Sequence, residues 1–170
     1  MILSFSLFAQ MDNIKFKLLS EDLSRTWCIL NDSKGFMWFG TRGGLNRYDG
    51  SKFVAYENVL NDSTSLSSNW VNDILEDREG NLWIATSYGL NIFDRDLNRF
   101  IRFIHNQENQ NSLSNNIVNK ILFDSKGNLW IGTDKGGLDM YNKRENSFTH
   151  NSNVPHDLKS LSNNTVYCIY

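Results

Sequence analysis

Along this chain the apolar residues fall in short runs, each closed by a cluster of Gly, Asp, Asn and Ser. That punctuation predicts β-strands joined by tight turns. Residues 117–124 (IVNKILFD) read as a first strand and 125–127 as a tight turn in which Gly127 supplies the left-handed conformation. A second strand at 128–133, a loop at 134–137, a third strand at 138–142, a polar turn at 143–146 and a fourth strand at 147–150 complete an antiparallel meander. The pattern occurs twice more upstream, with strands at 71–77, 82–86, 90–94 and 99–103, and at 27–32, 37–41, 45–49 and 53–56.

The three meanders repeat in detail. Asp32, Asp77 and Asp124 each stand three residues before Gly35, Gly80 and Gly127, and each Gly stands three residues before Trp38, Trp83 and Trp130. The tryptophans recur at steps of 45 and 47 residues, a period that marks a repeat architecture. The connecting stretches also end alike, in Ser-Leu-Ser at 65–67, 112–114 and 160–162. The second strands, Phe36-Met37-Trp38-Phe39 and Leu82-Trp83-Ile84-Ala85, are apolar on both faces. A sheet with one wet face alternates apolar and polar, so these sheets are expected to be sandwiched by neighbours. Four-stranded sheets stacked face to face about an axis are the blades of a β-propeller. The expected fold is therefore all-β, an incomplete β-propeller. Three four-stranded antiparallel blades would lie at 23–65, 66–112 and 113–160, with the first strand of a fourth at 161–170. Each repeat Trp is expected to project into the gap between blades, and each Asp to accept backbone N–H groups across its turn.

Composition narrows the class. The 170 residues carry a net charge of −2 with no basic run, which leaves no electrostatic footprint for nucleic acid. No apolar stretch is long enough to span a bilayer. Residues 1–10 (MILSFSLFAQ) have the apolar run and small residue that end a secretory signal, without its charged opening. They read as a partial export signal followed by a lead-in at 11–22; an N-terminal strand is the alternative. Closed propellers need four to eight blades, so the chain is expected to be the N-terminal piece of a longer protein. Cys28 and Cys168 occupy equivalent first-strand positions and are expected to be buried, apolar and unpaired.

The stretch from Phe36 to Gly50 (FMWFGTRGGLNRYDG), together with 65–69 (SLSSN) and 127–133 (GNLWIGT), resembles the two-component regulator propeller family. The resemblance covers about residues 18–170. It implies the periplasmic sensor region of a membrane-bound hybrid histidine kinase, with further blades and the kinase elsewhere in the parent. It also implies an oligosaccharide ligand and a homodimer. Ala85 departs from the usual Gly of the Gly-Thr pair.

Residue chemistry is otherwise sparse. Arg42-Gly-Gly44 lies between two strands, the wrong context for a nucleotide loop. His105, His150 and His156 lack metal-ligand spacing. The three repeat aspartates would be spread around a ring, too far apart for joint catalysis. Residues 155–161 (PHDLKSL) resemble a histidine-kinase phosphoacceptor box, but they align with the other inter-blade linkers and are expected to fold as one. No catalytic, cofactor or metal site is expected. Loops leaving the second strand and linkers entering the first share one end of a propeller, which would bring Arg42, Tyr88 and Lys135 near Trp27 and Trp70. That rim is the candidate ligand surface. The alternatives are a propeller enzyme acting on glycans, of the sialidase or lyase kind, and a protein-binding scaffold.

Overall fold

A computed structural model describes residues 25–170; the signal-like segment at 1–10 and the lead-in at 11–22 lie outside the described residues. Twelve strands form three sheets among those residues. Sheet 1 is β1 (Thr26–Asn31), β2 (Met37–Thr41), β3 (Leu45–Tyr48) and β4 (Phe53–Tyr56). Sheet 2 is β5 (Val71–Glu76), β6 (Leu82–Thr86), β7 (Gly89–Asp94) and β8 (Arg99–Phe103). Sheet 3 is β9 (Val118–Phe123), β10 (Leu129–Thr133), β11 (Leu138–Asn142) and β12 (Ser147–Asn151). Each is an antiparallel meander in chain order. β5 packs against β1 and β2, and β9 packs against β5 and β6, so the first strands run side by side. The three sheets are blades of a β-propeller, as the pattern predicts.

Each hairpin between first and second strands is built the same way. Gly35, Gly80 and Gly127 adopt φ of 83°, 85° and 86°, the left-handed region in which a side chain is strained. The Asp opening each turn accepts two backbone N–H groups on one carboxylate oxygen, from Lys34 and Phe36, Glu79 and Asn81, or Lys126 and Asn128. Its other oxygen accepts the indole N–H of the repeat Trp, at 2.8 Å for Trp38 and 3.1 Å for Trp83 and Trp130. The Asp-to-Trp spacing thus fixes the turn and also satisfies the polar atom of a ring aimed at the core.

Two seams result. In the first, Trp38 and Tyr56 of sheet 1 meet Leu82, Ile84 and Phe93 of sheet 2. In the second, Trp83, Ala85 and Leu90 of sheet 2 meet Ile121, Leu129 and Ile131 of sheet 3. Sheet 2 is therefore buried on both faces, the condition its apolar second strand calls for. Trp38 and Trp83 fill seams as expected. Trp130 is only half-buried, because its face of sheet 3 meets no further sheet among the described residues.

Two expectations are corrected. Residues 161–170 form no strand. Strands exist through ladder hydrogen bonds, and no second strand pairs with this segment among the described residues. It nevertheless docks on sheet 3: Val166 N donates to the Thr133 carbonyl at 2.9 Å, and Gly137 N donates to the Asn164 carbonyl at 2.7 Å. For the same reason Cys168 is exposed rather than buried; Cys28, paired with Gly40 in sheet 1, is half-buried, and both are free thiols. Residues 154–160 fold as an inter-blade linker, with Ser160 Oγ accepting from Val154 N as Ser65 Oγ does from Val59 N. That is not the helix a phosphoacceptor histidine occupies.

Candidate functional site

Three of the five rim residues come together at one end of the first seam. Arg42 leaves β2 on a loop that Thr41 holds closed: Thr41 Oγ1 donates to the Gly44 carbonyl at 2.9 Å and accepts from Gly43 N at 3.0 Å. Trp27 stands at a β-bulge, where the β1–β2 register slips between Thr26 and Cys28. A bulge inserts an unpaired residue and turns its side chain out of the sheet. Trp70 ends the linker into β5, its carbonyl held by Ser87 N at 3.0 Å. The Arg42 guanidinium lies 4.2 Å from the Trp70 ring centre and 5.4 Å from that of Trp27. Both distances fall within cation–π range. Trp27 is 58% exposed and Trp70 40%, unusual for the largest side chain.

Arg42 makes no hydrogen bond or ion pair among the described residues, so its five N–H groups face outward from a fixed, aromatic-backed position. With Arg25 and Thr26 it edges a shallow cleft of about 320 Å³. Arg25 was missed by sequence reasoning. Its signal is positional: on the repeat it aligns with Trp70 and Ile117.

All three first strands carry this bulge, and sheet 1 departs from its siblings in the residue that fills it. Asn72 and Asn119 hold the same place in sheets 2 and 3. Each reaches to the following unit, with Asn72 Nδ2 donating to the Val118 carbonyl at 2.7 Å and Asn119 Nδ2 to the Val166 carbonyl at 3.1 Å. Trp27 gives up that link and turns an indole to solvent.

Tyr88 and Lys135 occupy the matching loops of sheets 2 and 3 and are exposed. Tyr88 N donates to Thr86 Oγ1 at 3.1 Å; Lys135, at a φ of 66°, donates its N–H to Thr165 Oγ1 at 3.3 Å. No hydrogen bond, ion pair or ring contact joins either to the Arg42 group. The rim's organised part is Trp27, Arg42 and Trp70.

Residues 20–43, 65–88 and 112–135 match the family model described as two component regulator propeller. These three segments are two-component regulator propeller repeats. A 69-residue stretch is 44% identical to histidine kinase P4 of Formosa agariphila, covering 38% of this chain and 5% of that protein. Among solved structures, the extracellular domain of BT3049 from B. thetaiotaomicron, assigned as a hybrid two-component system, superposes with a TM-score of 0.75. It is 28% identical over 85% of this chain and 20% of that one. The extracellular domain of BT4673 from the same organism, assigned as a one-component system, gives a TM-score of 0.59 at 32% identity, covering 72% of this chain and 17% of that one. The chain thus spans a fifth or less of these relatives. The described residues hold no group of three or more His, Cys, Asp or Glu able to bind a metal, and no helix long and apolar enough to cross a membrane.

Proposed function

We propose that the chain recognises an oligosaccharide on behalf of a two-component sensor, on the periplasmic side of a bacterial inner membrane. The parent would be a hybrid histidine kinase acting as a homodimer, and the chain itself performs no catalysis. The observation that carries this reading is the guanidinium of Arg42, set against two exposed tryptophans and, among the described residues, without a carboxylate partner. Indole faces stack on the apolar faces of sugar rings, and an unpaired guanidinium donates to hydroxyls or, in two parallel bonds, to a carboxylate or sulfate. The site therefore favours an acidic glycan over a neutral one. That nearby solved relatives are extracellular domains of signalling systems supports an exported location.

Calorimetric titration of the chain against matched neutral, uronate and sulfated oligosaccharides tests it. Binding of an acidic member is expected, with affinity falling roughly tenfold in Trp70→Ala and in Arg42→Ala, the scale of one desolvated cation–π or charged hydrogen bond. Unchanged affinity in both variants would remove the rim from the account.

A further inference from the structure

The two seams carry the same repeat positions at the turn end of the sheets, opposite the Arg42 rim, and fill them differently. In the first seam Arg95, from the β7–β8 turn, plugs the gap. It pairs with Asp32 at 2.8 Å and Glu76 at 3.2 Å and donates from Nε to the Gly80 carbonyl at 2.9 Å. Its guanidinium carbon lies 5.9 Å from the Trp38 ring centre.

In the second seam the residues matching Asp32, Trp38 and Arg95 are Asp77, Trp83 and Lys143. Lys143 does not enter. Its ammonium turns out to Glu79 at 2.6 Å, an exposed pair at the mouth. Beside it lies a cavity of about 530 Å³ walled by Trp83, Phe123, Leu129 and Tyr141, with Glu76, Asp77 and Glu79 at its edge. Tyr141 and Phe123 stand edge-on to Trp83, with ring centres 5.2 and 6.4 Å away. Phe123 takes the place that Glu76 holds in sheet 2, so an aromatic wall replaces the second carboxylate. Asp77 Oδ2 receives only neutral donors, Asn81 at 2.9 Å and Trp83 at 3.1 Å; Lys143 acts on it through space, without a direct ion pair. Of the nearby cations, Arg78 is held on the Ser125 carbonyl across the seam and Arg144 is exposed, where solvent screens it.

We propose that this cavity binds a small organic cation, with a guanidinium or alkylammonium head seated among Trp83, Phe123 and Tyr141 and facing Asp77. An aromatic wall edged by carboxylates, of which Asp77 alone lacks a direct ion pair, suits such a head, and the first seam shows the same framework closed on a guanidinium. The site is separate from the glycan rim and stands whether or not that reading holds.

The test follows the Trp83 indole N–H of the chain by NMR during titration with agmatine and with choline. The neutral choline isostere 3,3-dimethylbutanol serves as control. Saturable shifts are expected for a cation and not for the isostere. Lys143→Arg, which supplies an internal guanidinium where Arg95 stands in the first seam, is expected to weaken binding at least tenfold while keeping the fold; Tyr141→Leu should weaken it without adding a charge. Absence of a saturable shift with both cations, an equal response to the isostere, or unchanged affinity in Lys143→Arg would overturn the proposal.

Discussion

The first and second seams are two solutions to one repeat, and they differ in the cation each position carries. At the turn end the first seam has Arg95 inside and the second has Lys143 outside. At the linker end, Arg102 binds the Asp62, Ser65 and Leu66 carbonyls of the first linker, whereas His150, its counterpart, binds the Gln110 carbonyl of the second. A planar guanidinium with five donors satisfies several acceptors at once and stays charged. Lysine prefers water, and histidine titrates. The lesson is that a shared hydrophobic pattern fixes which sheets pack together, while single polar substitutions decide whether a seam is sealed, hollow or pH-sensitive.

The sharpest way to break the comparison is to unplug the first seam. Asp32 has no exposed side-chain surface and Arg95 only 13%. Arg95→Ala would leave that carboxylate without a counter-ion and remove the Arg95 bond to Glu76, a loss expected to cost about 3–5 kcal/mol. Urea unfolding of the chain and the variant measures it. A cost below about 1 kcal/mol would mean that the plug contributes packing alone.

A smaller effect tests how close the seams approach. A Cβ at Gly40 would lie 2.6 Å from Val71 Cγ1 and closer still to the Cys28 sulfur of its own sheet. Sheet 2 carries Ala85 at the matching position, buried beside Val118. The second seam has already opened enough for a methyl group; the first has not. Gly40→Ala is expected to destabilise by about 1–3 kcal/mol through overpacking, read by the same unfolding curves.

Much of this was legible in the sequence, and the limits have physical causes. Period, turn glycines and doubly apolar second strands identified the sheets and their stacking, because backbone conformation and burial are dictated locally. Even the meeting of Arg42 with Trp27 and Trp70 followed from topology, since strand direction decides which loops share an end. What stayed hidden depends on partners. Trp27 stands at a bulge whose counterparts Asn72 and Asn119 bond to the next unit, and a bulge is defined only by the strand opposite. Arg95 and Lys143 look alike as polar turn residues. Arg95 enters its seam where the neighbouring turn offers Phe36, leaving Asp32 needing a donor; at Asp77 the Asn81 amide fills that need. Residues 161–170 read as a first strand, but sequence type does not make a strand without a partner.

The linker clamps make one seam pH-sensitive and leave the other indifferent to pH. His150 Nδ1 meets Asp139 Oδ1 at 2.7 Å and Nε2 meets the Gln110 carbonyl at 2.9 Å, so only the doubly protonated ring donates to both. Burial alone would lower the His150 pKa, and the bonds to Asp139 and Gln110 outweigh it and raise it. Burial also pushes the Asp139 carboxyl up, so the two groups hold a proton between them. We assign it to the ring, because Ser114 N also donates to Asp139 at 2.8 Å and a carboxylate accepts both bonds best. A raised folded-state pKa means the stabilisation is complete below the ordinary histidine value near 6.5 and is lost as pH rises through the raised one. Melting temperature should therefore fall between pH 6 and 8.5 by the equivalent of about 1 kcal/mol, the scale of a partly exposed charged hydrogen bond. His150→Gln should flatten that dependence, whereas Arg102→Gln should lower stability equally at both pH values.

The smallest expected effect is also the most discriminating. Lys143 and Glu79 are 66% and 63% exposed, and pairs of that kind contribute under about 1 kcal/mol. Lys143→Ala should leave the urea midpoint almost unmoved, in contrast to Arg95→Ala at the matching position. If instead the two variants lost similar stability, Lys143 would be sealing its seam after all, and the hollow second seam would have to be redrawn as a plugged one. A near-silent Lys143→Ala shows that one repeat position, occupied by two cations of equal charge, is a structural bolt in one seam and a movable group at the mouth of a cavity in the next.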